Sequence, residues 1–459
     1  MALRRSLAIG LIAALLAACG TATQPPQTLA PAVPTPTAAP PTQAPAPTAA
    51  PTATAAAPTA APPTQAPAPT ATSAAAPTEA PTATSAAAPA AELLFLRGGQ
   101  LITLNLATRS ERVLAKGVAE FAAAPGGKAI ALVLNTQGQI DLWIMGRDGS
   151  GLRQLTTDGN TRVEATLSWA PDGAALAFSS ADSTDPYPRT WLEWAAWCGA
   201  SEVRVVDLAS GALQRFGPGC DPAISPDGKR IAYATPPATR QENASSPNAG
   251  NAIRLINRQG QNGWSFAEAA GTAAKRGLLV YAPAWSPDGT QLAYQRFLGY
   301  QALVDIDLSE IGGSFEGKGQ VFASGAGWLL PPRFAPSGAA VAVVGNNFSD
   351  ARGFGGYDDW SATVVWLAGS RELALPDGPI RAIGQRAEAL PRAQAAAWAP
   401  DGQSLAVLLP PGWRPGLDPN QPYGHAGEPG EIWRWQPGAD PAEQLATRVD
   451  FASPVAWLP

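Results

Sequence analysis

The 459-residue chain carries 31 Lys and Arg against 36 Asp and Glu, a formal net charge of −5. An acidic balance without a basic run excludes a nucleic-acid binder driven by counterion release. A single histidine, His425, excludes His-rich zinc sites and any motif that needs two histidines.

The first residues read as a processing signal. Arg4 and Arg5 precede a mostly apolar run over 7–16, too short for a stable transmembrane span. The run ends in Leu-Ala-Ala-Cys at Cys19. This resembles a bacterial lipobox, which implies a signal peptide over 1–18, lipidation of Cys19 and an extracytoplasmic protein held to the cell membrane. Loss of the two arginines brings the mature charge to about −7. Residues 19–91 are almost wholly Ala, Pro and Thr beyond the cysteine and hold no aromatic residue. Such a segment cannot bury enough apolar surface to order itself, so a disordered linker is expected. In polyproline II form it would reach at most roughly 200 Å.

From Glu92 the composition changes. ELLFLR, QLITLNLA and ERVLA read as three strands joined by turns. A motif then recurs: AAAPGGKAIALV from Ala122, SWAPDGAALAF, AISPDGKRIAY, AWSPDGTQLAY, RFAPSGAAVAV and AWAPDGQSLAV. Its prolines are Pro125, Pro171, Pro226, Pro287, Pro336 and Pro400, about 46 to 64 residues apart. Each copy reads as strand, tight turn, strand. Proline suits the second position of a type I turn, and the glycine takes the positive φ that closes a bulged hairpin. A period of this size with β-forming content indicates a propeller.

The motif resembles the TolB-like, WD40-like (PD40) β-propeller repeat over residues 92–459. The resemblance implies an all-β fold and says little about function, because such propellers serve as binding platforms, enzyme gates and scaffolds. The last residues, VAWLP, match the start of AWAPDG. The expected architecture is therefore a seven-bladed β-propeller, closed by pairing the C-terminal strand with the three N-terminal strands. About 53 residues fall to each blade, more than the ~40–45 of a WD40 blade. The excess should lie in loops at one face: 181–200, 235–250, 346–360 and 409–430 between the second and third strands, and 263–283 and 376–396 between blades.

Those loops hold the candidate residues. Cys198 and Cys220 flank a predicted hairpin over 202–216, so a disulfide is expected in an exported protein, closing a loop of about 22 residues and worth roughly 3 kcal/mol. Trp191, Trp194 and Trp197 share one loop, Tyr357, Asp358 and Trp360 a second, Trp413 and Tyr423 a third. Aromatics among Gly and Pro suit sugar rings, peptide side chains or a partner protein. The i, i+3, i+6 spacing of the first trio equally suits a helical turn buried on one side. Trp360 and Trp413 are the preferred anchors, whereas Trp169, Trp285, Trp398 and Trp457 belong to the repeat and to the core.

Enzymatic signals are thin. No G-x-S-x-G elbow occurs, and His425 stands alone in its loop. The loop carboxylates Asp182, Asp185, Glu193, Asp358, Asp359, Asp418 and Glu428 leave glycoside- or peptide-active chemistry open as the alternative. The preferred reading is a monomeric envelope lipoprotein without cofactor or metal, binding a protein, peptide or glycan through its loop-rich face and no nucleic acid.

Overall fold

The repeated turn takes the form its residue types demand. In AISPDG the amide of Gly228 donates to the Ser225 carbonyl (2.8 Å), and the Asp227 carboxylate accepts the Ser225 hydroxyl (2.6 Å) and the Lys229 amide (3.1 Å). AWSPDG repeats this with Gly289, Ser286, Asp288 and Thr290. These bonds hold both carboxyls below the usual range, the serine hydroxyl being the largest cause in each. Gly228 and Gly289 sit at φ 69° and 70°, which a side chain would strain.

The computed structural model describes residues 91–458 apart from 158–161, 183–190, 238–249, 270–277, 299–302, 313–318, 347–356, 374–379, 419–424, 426 and 452. The described residues lie in one compact unit, Thr84–Pro459. Its strands run as antiparallel meanders, in the chain order a propeller requires. The first sheet contains β1 (Glu92–Arg97), β2 (Gln100–Asn105) and β3 (Glu111–Lys116). The second has β4 (Val118–Ala123), β5 (Ala129–Thr136), β6 (Gln139–Gly146) and β7 (Arg153–Gln154). The third has β8 (Arg162–Trp169), β9 (Ala175–Asp182), β10 (Ser201–Asp207) and β11 (Leu213–Pro218), with helix α1 (Trp191–Gly199) between β9 and β10. The fourth has β12 (Cys220–Ile224), β13 (Arg230–Ala234), β14 (Ala252–Asn257) and β15 (Trp264–Glu268).

A larger sheet follows. It joins β16 (Leu279–Trp285), β17 (Gln291–Phe297), β18 (Leu303–Glu310) and β19 (Gln320–Ala326) to β20 (Arg333–Phe334), β21 (Ala340–Asn346), β22 (Trp360–Leu373) and β23 (Ile380–Pro391). The two runs meet where β19 pairs with β23, Ala323 opposite Ala382. Residues 376–396, expected as a loop between blades, instead contain β23, which pairs along β22 from Ser361–Pro391 to Leu373–Ala382. The segment IRAIGQRAEALP lacks a clean apolar alternation, and its partners are set by tertiary pairing, which overrides local pattern. The last sheet has β24 (Ala395–Trp398), β25 (Leu405–Leu409), β26 (Gly430–Trp435) and β27 (Glu443–Val449).

Strand β28 (Ala456–Leu458) returns to the first sheet and pairs with β1, Glu92 opposite Leu458 and Leu94 opposite Ala456. The expected pairing of the two chain ends is thus present. Asp450 reinforces it by accepting the Gly98 and Gly99 amides at 2.6 and 2.8 Å, and the Leu96 amide donates to Ser453 Oγ at 2.8 Å. Leu93, Phe95 and Trp457 share a buried cluster with Ala397, Leu408 and Ile432 of the neighbouring sheet.

The motif tryptophans link one repeat to the one before it. Trp169 Nε1 donates to the Ala122 carbonyl (3.0 Å), Trp285 to Ala223 (2.9 Å), Trp398 to Arg333 (2.9 Å) and Trp457 to Ala397 (3.0 Å). The turns touch in the same sequence. A Cβ added to Gly228 would lie 3.4 Å from the Pro171 ring, one on Gly289 3.6 Å from Pro226, one on Gly338 3.6 Å from Pro287 and one on Gly402 3.5 Å from Pro336.

Deleting residues 455–459 removes β28, the Trp457 bond and the cover over Leu93. The truncated chain is expected to melt more than about 5 °C below the full chain or to fail to accumulate in soluble form, since a kcal/mol shifts Tm by several degrees. An unchanged melting temperature by circular dichroism would show that β28 does not close the fold.

Candidate functional site

The antiparallel meander places the repeat turns at one end of the molecule and the insertions at the other. The insertion between β9 and β10 contains α1, as the tryptophan spacing allowed. Trp194 is fully buried and donates through Nε1 to Asp221 Oδ2 at 2.9 Å. Trp191, half-buried, stacks on Phe297 with centroids 4.2 Å apart and donates to the Tyr281 hydroxyl at 3.0 Å. Trp197 is buried beside Cys198, and Cys198 and Cys220 form the expected disulfide. That bond ties the end of α1 to the first residue of β12. The trio therefore packs this helix onto the inner strands of the next two repeats.

The second insertion behaves alike. Tyr357 is fully buried, its hydroxyl donates to the Glu428 carbonyl at 3.1 Å, and burial pushes its pKa up. Trp360 is 4% exposed and joins a cluster with Val344, Leu390 and Leu409. Asp358 accepts Arg392 Nε at 2.8 Å, and the buried Arg392 also donates through Nη2 to the Asp418 carbonyl at 3.2 Å. In the third insertion Trp413 is 8% exposed and meets Trp433 edge-on at 5.0 Å. Tyr423 lies outside the described residues, as does Cys19.

These positions correct the expectation that Trp360 and Trp413 stand open to a ligand. Both fill gaps beneath their loops, and Trp194, Trp197 and Tyr357 do the same. The surrounding Gly, Pro and Asp gave no local sign of it, because the residues that cover them come from other sheets. Asp358 is held in an ion pair that joins two insertions and the segment between β23 and β24.

A second polar group lies on the innermost strands. Glu120 of β4 accepts the amides of Thr166 and Leu167 on β8, both at 3.3 Å. Thr166 has φ 57°, at an irregularity in the β8–β9 ladder that turns these amides toward the acid. Asp221, at φ 53° in β12, likewise accepts the Ala282 amide of β16 at 3.3 Å, besides Trp194. Burial is the largest influence on Glu120 and pushes its pKa up to about 7, opposed first by the Leu167 and Thr166 amides, with smaller effects of the Asp221 charge upward and Arg333 downward. Arg333 of β20 is exposed, although the surrounding chain lowers its pKa by desolvation. The sequence signal was present but unread: Glu120 and Asp221 each stand five residues before a turn proline and Arg333 three before, where most repeats place small residues. Among the described residues no three His, Cys, Asp or Glu side chains are grouped as metal ligands.

No family model and no curated protein matches the chain. Solved structures resemble it loosely. TolB from Acinetobacter baumannii is 13% identical with a TM-score of 0.40, over 78% of this chain and 79% of that one. Oligogalacturonate lyase from Vibrio parahaemolyticus is 15% identical with a TM-score of 0.44, over 68% and 80%. The Cps50 (Swd1) β-propeller domain from Myceliophteria thermophila is 13% identical with a TM-score of 0.43, over 72% and 86%. The fold is a β-propeller on its own strand order, and the likenesses carry no activity or partner to it.

Because Trp360 and Trp413 are core residues, Trp360→Ala and Trp413→Ala should each destabilise the protein by about 3–5 kcal/mol. Urea unfolding measures this. A loss below about 1 kcal/mol for either variant would return that side chain to the surface.

Proposed function

We propose that the protein is an exported, lipid-anchored, seven-bladed β-propeller that binds an envelope protein, peptide or glycan through its insertion-bearing face. The count of seven is supported by the eight-stranded sheet, which divides at β19–β23 into two meanders, each with its own repeat turn. With the five four-stranded sheets this makes seven units of one plan. The observation that carries the binding reading is the contrast between the two ends. One end has short turns of fixed form. At the other, insertions are held by buried tryptophans, the Arg392–Asp358 pair and a disulfide. Ordering long loops costs conformational entropy, and loops so fixed on a rigid scaffold are where proteins carry function.

Export and anchoring rest on the sequence around Cys19. Cys19→Ala should yield an exported chain that fractionates as soluble after a high-salt wash. If it stays with the membrane, another attachment exists.

The binding face can be tested with a photo-cross-linking residue placed singly at positions 358, 425, 172 and 288 in the producing cell. Positions 358 and 425 should form covalent adducts, whereas 172 and 288, in repeat turns, should not. Adducts from the turn positions alone would reverse the orientation of the binding face.

A further inference from the structure

The meander brings two kinds of turn to the same end of the molecule. One is the repeat turn between the first and second strands of a sheet, the other the outer turn between the third and fourth. Backbone bonds tie the two together: Arg147 N donates to the Lys128 carbonyl (3.1 Å), Leu208 N to Ala174 (2.9 Å) and Arg258 N to Lys229 (3.1 Å). In the first sheet Leu106 N donates in the same way to the Ala91 carbonyl (3.2 Å), so the chain that precedes Glu92 arrives at this end.

Among the described residues, four large apolar side chains are exposed: Val113, Leu152, Leu213 and Trp264. They lie on or beside β3, β7, β11 and β15, the outermost strands of the first four sheets. Each follows by one to three residues the carbonyl that closes its outer turn, that of Ser110, Ser150, Ala212 or Gln261. Neighbouring outer turns touch. Arg112 Nη1 donates to the Asp148 carbonyl (3.2 Å), Arg153 Nη2 donates to the Leu208 carbonyl (3.1 Å), and a Cβ on Gly260 would lie 3.7 Å from the Phe216 ring. The four side chains thus follow one arc along the rim of the turn end. Single exposed apolar residues are ordinary; four at one level of successive sheets can all meet a flat surface at once. A protein partner is instead gripped by clustered anchors.

The charge along this arc departs from that of the whole chain. Residues 91–92, 105–113, 124–129, 146–153, 170–175, 207–215, 225–230 and 257–264 hold nine Lys and Arg against six Asp and Glu, in a chain of net charge −5. In the other sheets the matching described segments, 286–291, 308–312, 335–340, 399–404 and 435–444, hold five acids and no base. Basic residues interleaved with apolar ones, an indole among them, suit an anionic lipid interface.

We propose that the rim of the turn end, over the first four sheets, rests on the anionic headgroups of the membrane that carries the lipid anchor. The inference rests on the exported, lipid-anchored reading above, since a chain tethered through Cys19 stays near that surface. The contact turns the insertion-bearing face away from the membrane. Attraction to headgroups decays within a Debye length, about 8 Å at physiological ionic strength, so the contact is shallow and salt-sensitive. A high-salt wash releases it and leaves the outcome for Cys19→Ala unchanged.

The test is cosedimentation of the mature chain without its lipid, residues 20–459, with vesicles. One set contains phosphatidylglycerol and phosphatidylcholine in equal parts, the other phosphatidylcholine alone. At low ionic strength the mixed vesicles should bind at least about tenfold more strongly than the neutral ones, and high salt should abolish the difference. Leu152→Ser with Trp264→Ser, and separately Lys128→Glu with Lys229→Glu, should each weaken binding about tenfold. Arg414→Glu, which alters an exposed charge at the insertion end, should leave it unchanged. All these side chains are exposed, so thermal melts matching the unaltered chain separate loss of the contact from loss of the fold. The proposal is overturned by absence of binding to the mixed vesicles, equal binding to neutral ones, or binding that survives both pairs of substitutions. An effect of Arg414→Glu as large as that of the lysine pair would also overturn it. Because the chain tested bears no lipid, failure here leaves the reading of Cys19 standing, and failure of that reading leaves the vesicle result standing.

Discussion

Four indole N–H groups keep the inner strands in step. Trp169, Trp285, Trp398 and Trp457 each reach back to a carbonyl of the preceding repeat, always the one three residues before its turn proline. Each bond contributes on the order of 1 kcal/mol net, but leaving such an enclosed donor unpaired would cost more. The bond also fixes the height of one inner strand against the next. The close approach of Gly228, Gly289, Gly338 and Gly402 to the preceding turn proline accords with that common height. Where the repeat has Ile224 in place of tryptophan, the Ser168 hydroxyl takes over by accepting the Ile224 amide at 2.9 Å.

The repeat was legible in the sequence because its information is local. Proline, aspartate and glycine at fixed spacing determine a turn with little help from the rest of the chain, and the split copy at the two chain ends foretold the β1–β28 pairing. The disulfide was legible for the same reason, since Cys198 and Cys220 flank one hairpin. The role of Trp360 and Trp413 was not. An aromatic residue among glycines looks alike whether it faces solvent or lies beneath a loop, and the residues that decide between the two are far away in sequence. The β19–β23 pairing was hidden because it joins strands of two repeats that otherwise follow the rule. The charges at Glu120, Asp221 and Arg333 were readable only once the repeats were aligned by their turn prolines.

The insertions combine two kinds of fastening. Apolar packing fixes their aromatic residues, and single polar links set direction: Trp194 onto Asp221, Tyr357 onto Glu428, Arg392 onto Asp358 and Asp418. Such links contribute modest stability when partly exposed, as Asp358 is. Their larger effect is to choose one arrangement among several that apolar packing alone would allow. A comparable device lies between sheets, where Arg296 binds Asp307 at 2.8 Å and the Glu268 carbonyl at 2.9 Å. The half-buried Asp305 beside them has its pKa pushed up to about 6, mainly by burial.

The place where the preceding chain joins the fold has a mechanical consequence. Force transmitted along that chain enters at Glu92, the first residue of β1. This strand is not a free edge, because β2 flanks it on one side and β28 on the other. Drawing β1 out would have to shear two ladders together and release Asp450 from the Gly98–Gly99 turn. A propeller whose first strand lay at an edge could be peeled open one hydrogen bond at a time. Here the load is shared across three strands from the start, so the joint between the first and last strands is also the one that resists being pulled apart.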